Sequence, residues 1–228
     1  MKQPDYTAAV EHLKASDPRL ARLIEQVGPP TGHLRTELTI FYSLARSILY
    51  QQLAGAAASA ILARVDALFP SGKMTPQEML ELPEEKLRAA GLSRNKLAAL
   101  RDLAAKTLDG TVPTARACHR MTDEEIIEHC VQVKGIGRWT VEMLLLFRLG
   151  RPDVMPYDDY GIRKAMQLAY RMRELPKKKR MQQLDARWRP YRSLAAWYLW
   201  RSLELPGARE ILLRERKKVA KKPHKQRR

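Results

Sequence analysis

Cysteine is nearly absent. Cys118 and Cys130 are the only two in 228 residues, too few for a disulfide framework or a four-cysteine metal site. The five histidines are scattered and form no metal-ligand cluster. No window approaches the roughly 20 apolar residues of a membrane-spanning helix. The opening MKQPDYTAAVEHLKASDPRL lacks the apolar stretch of a secretory signal, so a soluble intracellular protein is expected. No segment alternates apolar and polar residues as a half-buried strand does. There is no internal repeat at a fixed period and no Gly/Ser linker. Acidic residues are the minority: 25 Asp and Glu stand against 42 Lys and Arg, a net charge of +17. Hydrophobic residues make up 45%, so this charge belongs to a globular chain rather than a disordered polycation. It calls for a polyanionic partner, with nucleic acid first and an anionic membrane surface second.

What is present is helical periodicity almost throughout. Leu38 to Leu68 reads as two consecutive helices broken near Tyr50–Gln52. Thr75-Pro-Gln-Glu78 is a capping box with proline at the first helical position, opening a short helix to Leu82. Helices Glu84–Ala90 and Lys96–Thr107 follow, divided by Gly91. Thr122-Asp-Glu-Glu125 is a second capping box, opening a helix to about Val131. A Gly-Ile-Gly turn separates it from a very apolar helix, Arg138–Leu149. Gly150-Arg-Pro-Asp-Val-Met-Pro156 reads as a loop or short extended stretch. Helices are then predicted near Tyr160–Met172, Lys177–Trp188 and Tyr191–Leu203. Arg214–Arg228 holds nine Lys or Arg against one Glu, a basic tail expected to be disordered. The predicted division is therefore 1–213, with a hairpin at about 124–149, and a tail at 214–228.

The most informative stretch is Val131-Gln-Val-Lys-Gly-Ile-Gly-Arg-Trp-Thr140. Gly135 and Gly137 permit a turn with no room for a side chain and let the backbone approach another molecule closely. The helix that follows presents free N–H groups and a positive dipole end, which suits a phosphate. Lys134 and Arg138 add charge on either side. A Gly-x-Gly before a helix is also what a merely tight connection gives.

Read with its neighbours, Val133-Lys-Gly-Ile-Gly-Arg-Trp-Thr140 resembles the helix-hairpin-helix of a DNA glycosylase superfamily. Gly150-Arg-Pro-Asp-Val-Met-Pro-Tyr-Asp-Asp-Tyr160 resembles that superfamily's Gly/Pro-rich loop with its essential Asp, at the family's spacing. Arg187-Trp-Arg-Pro-Tyr-Arg-Ser193 and Trp200 resemble the C-terminal signature of the AlkA-like 3-methyladenine branch. The ordered resemblance runs from about Tyr50 to Glu204. It implies an all-α, two-lobed protein with DNA at the cleft between the lobes, acting as a monomer on double-stranded DNA that contains alkylated bases. It implies no membrane partner and no required cofactor. It does imply a structural Na+ or K+ on hairpin carbonyls matching Val131, Val133 and Ile136. The expected location is cytoplasm or nucleoid in a bacterium and the nucleus in a eukaryote. Longer bacterial members carry an N-terminal β-rich domain with no counterpart here, which leaves residues 1–35 without an assigned role.

The same resemblance puts the essential carboxylate on Asp159 and leaves Asp158 as the helix cap. Without it, the pair would read as an N-cap plus a first-turn carboxylate. A base buried in the stack must be flipped into a pocket before its glycosidic bond can be reached. Positive charge then builds on the deoxyribose as the base departs, and an ionised Asp159 would stabilise it and orient or deprotonate water. Members that also cut the backbone carry a lysine where this chain has Trp139, and no cysteine-rich cluster segment follows, so a monofunctional glycosylase without lyase activity is expected. Trp139, Tyr160 and Trp200 match aromatic pocket positions, where rings would stack on a cationic purine; Trp188 and Trp197 read as core. Met143 stands where a relative has a pocket tyrosine and offers a softer surface. Lys134, Gly135, Gly137, Arg138 and Thr140 form the expected DNA grip. In Tyr50-Gln-Gln-Leu53, Gln52 and its neighbour Leu53 match the wedge that fills the gap left by a flipped nucleotide; a polar pair at a helix start is the other reading. Two different functions stay open at this level: a non-catalytic DNA-binding protein, or a glycosylase for deaminated or mismatched bases.

Overall fold

Every regular element among the described residues is helical. The computed structural model describes residues 6–31, 38–208 and 210; the tail at 214–228 lies outside them. The chain divides into two compact units, one made of Met1–Gly32 with Pro152–Arg228 and the other of His33–Arg151.

The first unit opens with α1 (Thr7–Ser16) and α2 (Pro18–Val27). They are joined at Asp17, whose extended backbone (φ −148°) ends one helix and whose carboxylate caps the other through the Arg19 and Leu20 amides. Proline at the first position of α2 gives up an N–H that no helix start can satisfy internally. Within the stretch that the sequence leaves without a role, α1 and α2 are thus integral to this unit, with Leu13, Leu20 and Ile24 in its core.

The second unit runs through α3 (Ile40–Tyr50), α4 (Gly55–Asp66), α5 (Pro76–Glu81), α6 (Glu84–Ala89), α7 (Arg94–Leu108), α8 (Ala115–Cys118), α9 (Asp123–Cys130) and α10 (Arg138–Phe147). Its core forms where α7 meets α3 and α5, and where α10 meets α3 and α9. Leu44, Leu49, Leu100, Leu103, Cys130, Val141 and Leu145 are fully enclosed there. Thr39, Thr75, Ser93, Thr114 and Thr122 each cap a helix by accepting an N3 amide. The box at Thr122 is reciprocal, with Glu125 returning to the Thr122 amide. At Thr75 the expected box is only half made: the Thr75 hydroxyl accepts the Glu78 amide and donates to the Glu78 carboxylate, without the return bond from the Thr75 amide. The four-residue α8 has too short an apolar pattern to be read from sequence.

The chain then returns to the first unit with α11 (Tyr160–Ala169), α12 (Lys178–Asp185), a 3-10 turn (Ala186–Trp188) and α13 (Arg192–Ser202). The helix expected over Lys177–Trp188 therefore ends early. α13 packs against α2 and α11, around Leu13, Leu20, Ile24, Ile162, Met166, Met181, Trp188, Ala196 and Leu199. Trp188 is fully buried, as expected, whereas Trp197 is only partly buried at the edge of that core. No helix of the described residues is long and apolar enough to cross a membrane.

Candidate functional site

In the first unit the chain enters α11 through a clamped loop. Ser193 donates its amide to the Pro152 carbonyl (3.0 Å) and accepts the Val154 amide on its hydroxyl (2.9 Å). Arg192 donates to both Asp153 carboxylate oxygens, to the Asp153 carbonyl and to the Tyr157 hydroxyl at 2.7–3.1 Å. The loop delivers Asp159 to the head of α11. Its Oδ1 accepts the Ile162 amide at 2.8 Å, so the cap is Asp159 and not Asp158. Asp158 is exposed. The same Oδ1 accepts the Trp200 indole N–H from α13 at 2.9 Å. One carboxylate thus serves as helix cap and as the acceptor of a rigid ring donor, which fixes its rotamer. Trp200 meets Asp159 along its N–H edge, a contact that the expectation of a stacking ring did not include. Tyr160 sits beside this pair and is 62% exposed, well beyond what a core tyrosine shows.

The hairpin belongs to the second unit. Gly135 takes a left-handed φ of 80°, a conformation that side chains disfavour. Gly137 does not: its φ is −101° and a Cβ there would meet nothing within 4 Å. The expectation that both glycines serve the turn holds only for Gly135, and the open space at Gly137 is room for something outside the chain. The amides of Gly135 and Gly137 donate to no group among the described residues, while the Lys134 amide is engaged with Asp102 at 2.7 Å. Asp102 also takes Lys106 at 2.8 Å. Burial works against its ionised form, yet these donors hold its carboxyl below the ordinary value. Arg138 is ion-paired with Glu124, so its charge is partly compensated. Thr140 is buried; its side chain packs inward, because the first turn of α10 already faces the core at that position, and does not form part of an exposed grip. Trp139, one residue earlier, is 44% exposed, and the half-buried Met143 lies one turn along the same helix.

The Val133 carbonyl accepts the Ile136 amide at 3.0 Å, and no described group donates to the carbonyls of Val131 or Ile136. Backbone oxygens are hard donors of the kind alkali cations take, so the donor chemistry of these three residues fits Na+ or K+.

The break between α3 and α4 is built against this hairpin. Gln51 donates its side-chain amide to the Gly135 carbonyl at 3.0 Å. Lys96 ties the turn from α7, donating to the Leu49 carbonyl at 2.5 Å and the Gln51 carbonyl at 3.0 Å. Burial lowers the Lys96 pKa from its ordinary value. Gln52 is held at φ 59°, a left-handed conformation that is costly for a residue with a side chain. Gln52 and Leu53 are both exposed, the posture a wedge requires.

The structure thus joins Asp159, Tyr160 and Trp200 in one unit, and the hairpin with the Gln51–Leu53 turn in the other. Asp102, Lys96 and Arg192 were not identified from sequence as site-building residues. The contacts that tie them to the hairpin, the turn and the loop span 32 to 47 positions, beyond any local pattern.

Residues 45–190 match the family described as HhH-GPD superfamily base excision DNA repair protein. The chain belongs to this family. It is 39% identical over 201 residues to DNA-3-methyladenine glycosylase 1 of Schizosaccharomyces pombe, covering 87% of this chain and 88% of that protein. The solved structure of S. pombe 3-methyladenine DNA glycosylase (Mag1) in complex with abasic DNA overlays with a TM-score of 0.79 at 38% identity, covering 88% of this chain and 98% of that one. A DNA-3-methyladenine glycosidase from Bacillus halodurans gives a TM-score of 0.82 at 31% identity over 92% and 95% of the two chains.

Proposed function

We propose that the protein is a monofunctional DNA glycosylase, acting as a monomer on double-stranded DNA to excise alkylated purines of the 3-methyladenine and 7-methylguanine type and so begin base-excision repair. The observation that carries this reading is Asp159, a carboxylate locked at the head of α11 by the Ile162 and Trp200 donors. The names of the relatives agree with it, and the abasic DNA held by one of them is the product such a reaction leaves.

The amides of Gly135 and Gly137, at the start of α10, hold a phosphate with help from the helix dipole. Gln52 and Leu53 enter the gap left by the flipped nucleotide. Trp139 and Tyr160 supply exposed rings for the cationic purine and Met143 an adaptable wall. As the N-glycosidic bond breaks, the bonding electrons leave with the base, which departs neutral. Asp159 stabilises the positive sugar and orients the water that adds to C1′, taking its proton. With Trp139 in place of a nucleophilic lysine, the backbone stays intact. The carbonyls of Val131, Val133 and Ile136 would hold a structural Na+ or K+ whose charge reinforces the phosphate grip.

The test is mass identification of bases released from methylated duplex DNA by wild type, Asp159→Asn and Asp158→Asn. Asn retains a capping oxygen, so Asp159→Asn should fold and bind abasic DNA while releasing base about 10²–10³-fold more slowly, the scale of losing an electrostatic stabiliser. Asp158→Asn should lose far less. Wild-type protein that binds DNA and releases nothing would make this a non-catalytic binder. Release of neutral deaminated bases alone would move it to another glycosylase class.

A further inference from the structure

Gly161 occupies the second position of α11, where glycine is a poor choice. A helix start offers no reason for it, since its φ lies outside the left-handed region that excuses Gly28, Gly72, Gly91, Gly110, Gly135 and Gly150. The reason is spatial. A Cβ at this position would lie 3.0 Å from Asp159 Oδ1, 3.1 Å from Trp200 Cδ1 and 3.3 Å from Trp200 Nε1. Two of these three atoms are the acceptor and donor of the 2.9 Å bond between carboxylate and indole. Among the described glycines, Gly161 is the one with an ordinary backbone whose missing Cβ would be crowded.

Neither neighbour can step aside cheaply. Asp159 Oδ1 is also held by the Ile162 amide at 2.8 Å, so rotating the carboxylate away from a methyl would forfeit the helix cap. Trp200 is a rigid ring on α13, packed against the core of its unit. We propose that Gly161 is a positioning residue for the reaction: the absence of its side chain opens the space through which the indole N–H reaches and orients the Asp159 carboxylate. This rests on the reading of Asp159 as the catalytic carboxylate.

The proposal opposes the ordinary expectation for glycine in a helix. Replacement by alanine normally stabilises, by reducing the freedom of the unfolded chain and improving helix propensity. Gly161→Ala should therefore leave the melting temperature within a few degrees of wild type. The single-turnover rate of base release should fall about 10–100-fold, the scale of a misplaced reacting group, while affinity for abasic DNA stays unchanged. In a Trp200→Phe background, where the N–H is gone and the ring is smaller, Gly161→Ala should cost several-fold less than in wild type, because the two changes act on one contact.

A second readout needs no catalysis. The chain has four tryptophans, so their indole N–H resonances can be separated, and Trp200→Phe identifies the Trp200 signal by its loss. A proton bonded to a carboxylate should resonate downfield in wild type and move upfield in Gly161→Ala. An unmoved Trp200 resonance, an unchanged release rate, or equal costs in the two backgrounds would each overturn the proposal. Loss of activity with a collapsed melting temperature would overturn it too, by making Gly161 a fold residue. Wild-type protein that releases no base, or an undiminished Asp159→Asn, would instead defeat the glycosylase reading, and the resonance would still report whether Gly161 sets the contact.

Discussion

Asp17 is the most enclosed carboxylate among the described residues of the first unit, at 1% exposure, and each oxygen is occupied. Oδ1 takes the Arg19 and Leu20 amides at 2.9 and 3.2 Å, while Oδ2 takes the Tyr170 hydroxyl and the Trp188 indole N–H. Burial pushes its carboxyl upward, but the four donors outweigh it and the pKa falls below the ordinary 3.8. A depressed folded-state pKa means that the unfolded chain binds the proton more readily. The stabilisation is thus complete above 3.8 and is lost as the pH drops below it. Asp17→Asn places an amide against donors that need an acceptor, and should cost about 1.5–3 kcal/mol at pH 7. The gap between wild type and variant should narrow below the ordinary carboxylate value. Urea unfolding at pH 7 and pH 3 checks both halves, and an equal gap at the two pH values would refute the assignment. Asp17 was invisible in the sequence because Tyr170 and Trp188 reach it from more than 150 positions away. The Asp158-Asp159 pair was legible as the start of a helix. Which of the two capped the helix was not, since either residue type and either register would serve.

At the scale of elements, what positions the candidate site is the seam between the loop after Pro152 and the start of α13. Arg192 is 9% exposed and stands between Asp153 and Tyr157, and the Tyr157 hydroxyl donates a hydrogen bond to Asp185 at 2.8 Å. Burial, reinforced by Asp185, raises the Tyr157 pKa to about 12. Burial disfavours the Arg192 charge, but Asp153 more than restores it, and burial also pushes the Asp185 carboxyl up. Removing the cation would leave the buried Asp185 without its counterion and Asp153 with Arg189 alone, so Arg192→Ala should destabilise by about 3–5 kcal/mol. Arg192→Lys should also lose stability, because an ammonium cannot span Asp153 and Tyr157 as a planar fork does. The checks are the midpoint and slope of denaturant unfolding; a midpoint unchanged in both variants would remove the clamp from the argument. The sequence marks this stretch only through its likeness to a family signature. Its partners became apparent when folding set Arg192 against Asp153 from 39 residues away. The hairpin was more readable because its turn residue, helix starts and reciprocal cap are all local. Even there, the inward turn of Thr140 and the pairing of Arg138 with Glu124 depend on tertiary packing.

Across the whole chain the dominant quantity is charge. Of the net +17, the stretch Arg214–Arg228 carries +8, nine cations against one Glu. The remaining +9 belongs to the body, which is basic in its own right. A cationic arm gains affinity for duplex DNA by displacing condensed counterions, and each phosphate engaged steepens the fall of log affinity with log salt by about 0.9. Nine cations on fifteen residues cannot all meet phosphates together, so truncation after Leu213 should cost roughly 2–4 contacts and flatten the slope by about 2–4. Phosphate contacts carry no direct sequence information. The ratio of single-turnover rates on two alkylated substrates should therefore be the same with and without the tail. On the proposed function, choice between bases is made where the flipped base is held and not along the phosphates that the tail would meet. Titrations of full-length and truncated protein at several salt concentrations measure the first half, and paired single-turnover rates measure the second. An unchanged salt slope would assign the tail no part in DNA binding. A changed rate ratio would mean that these fifteen residues reach the substrate base, and the division between phosphate grip and base pocket would have to be redrawn.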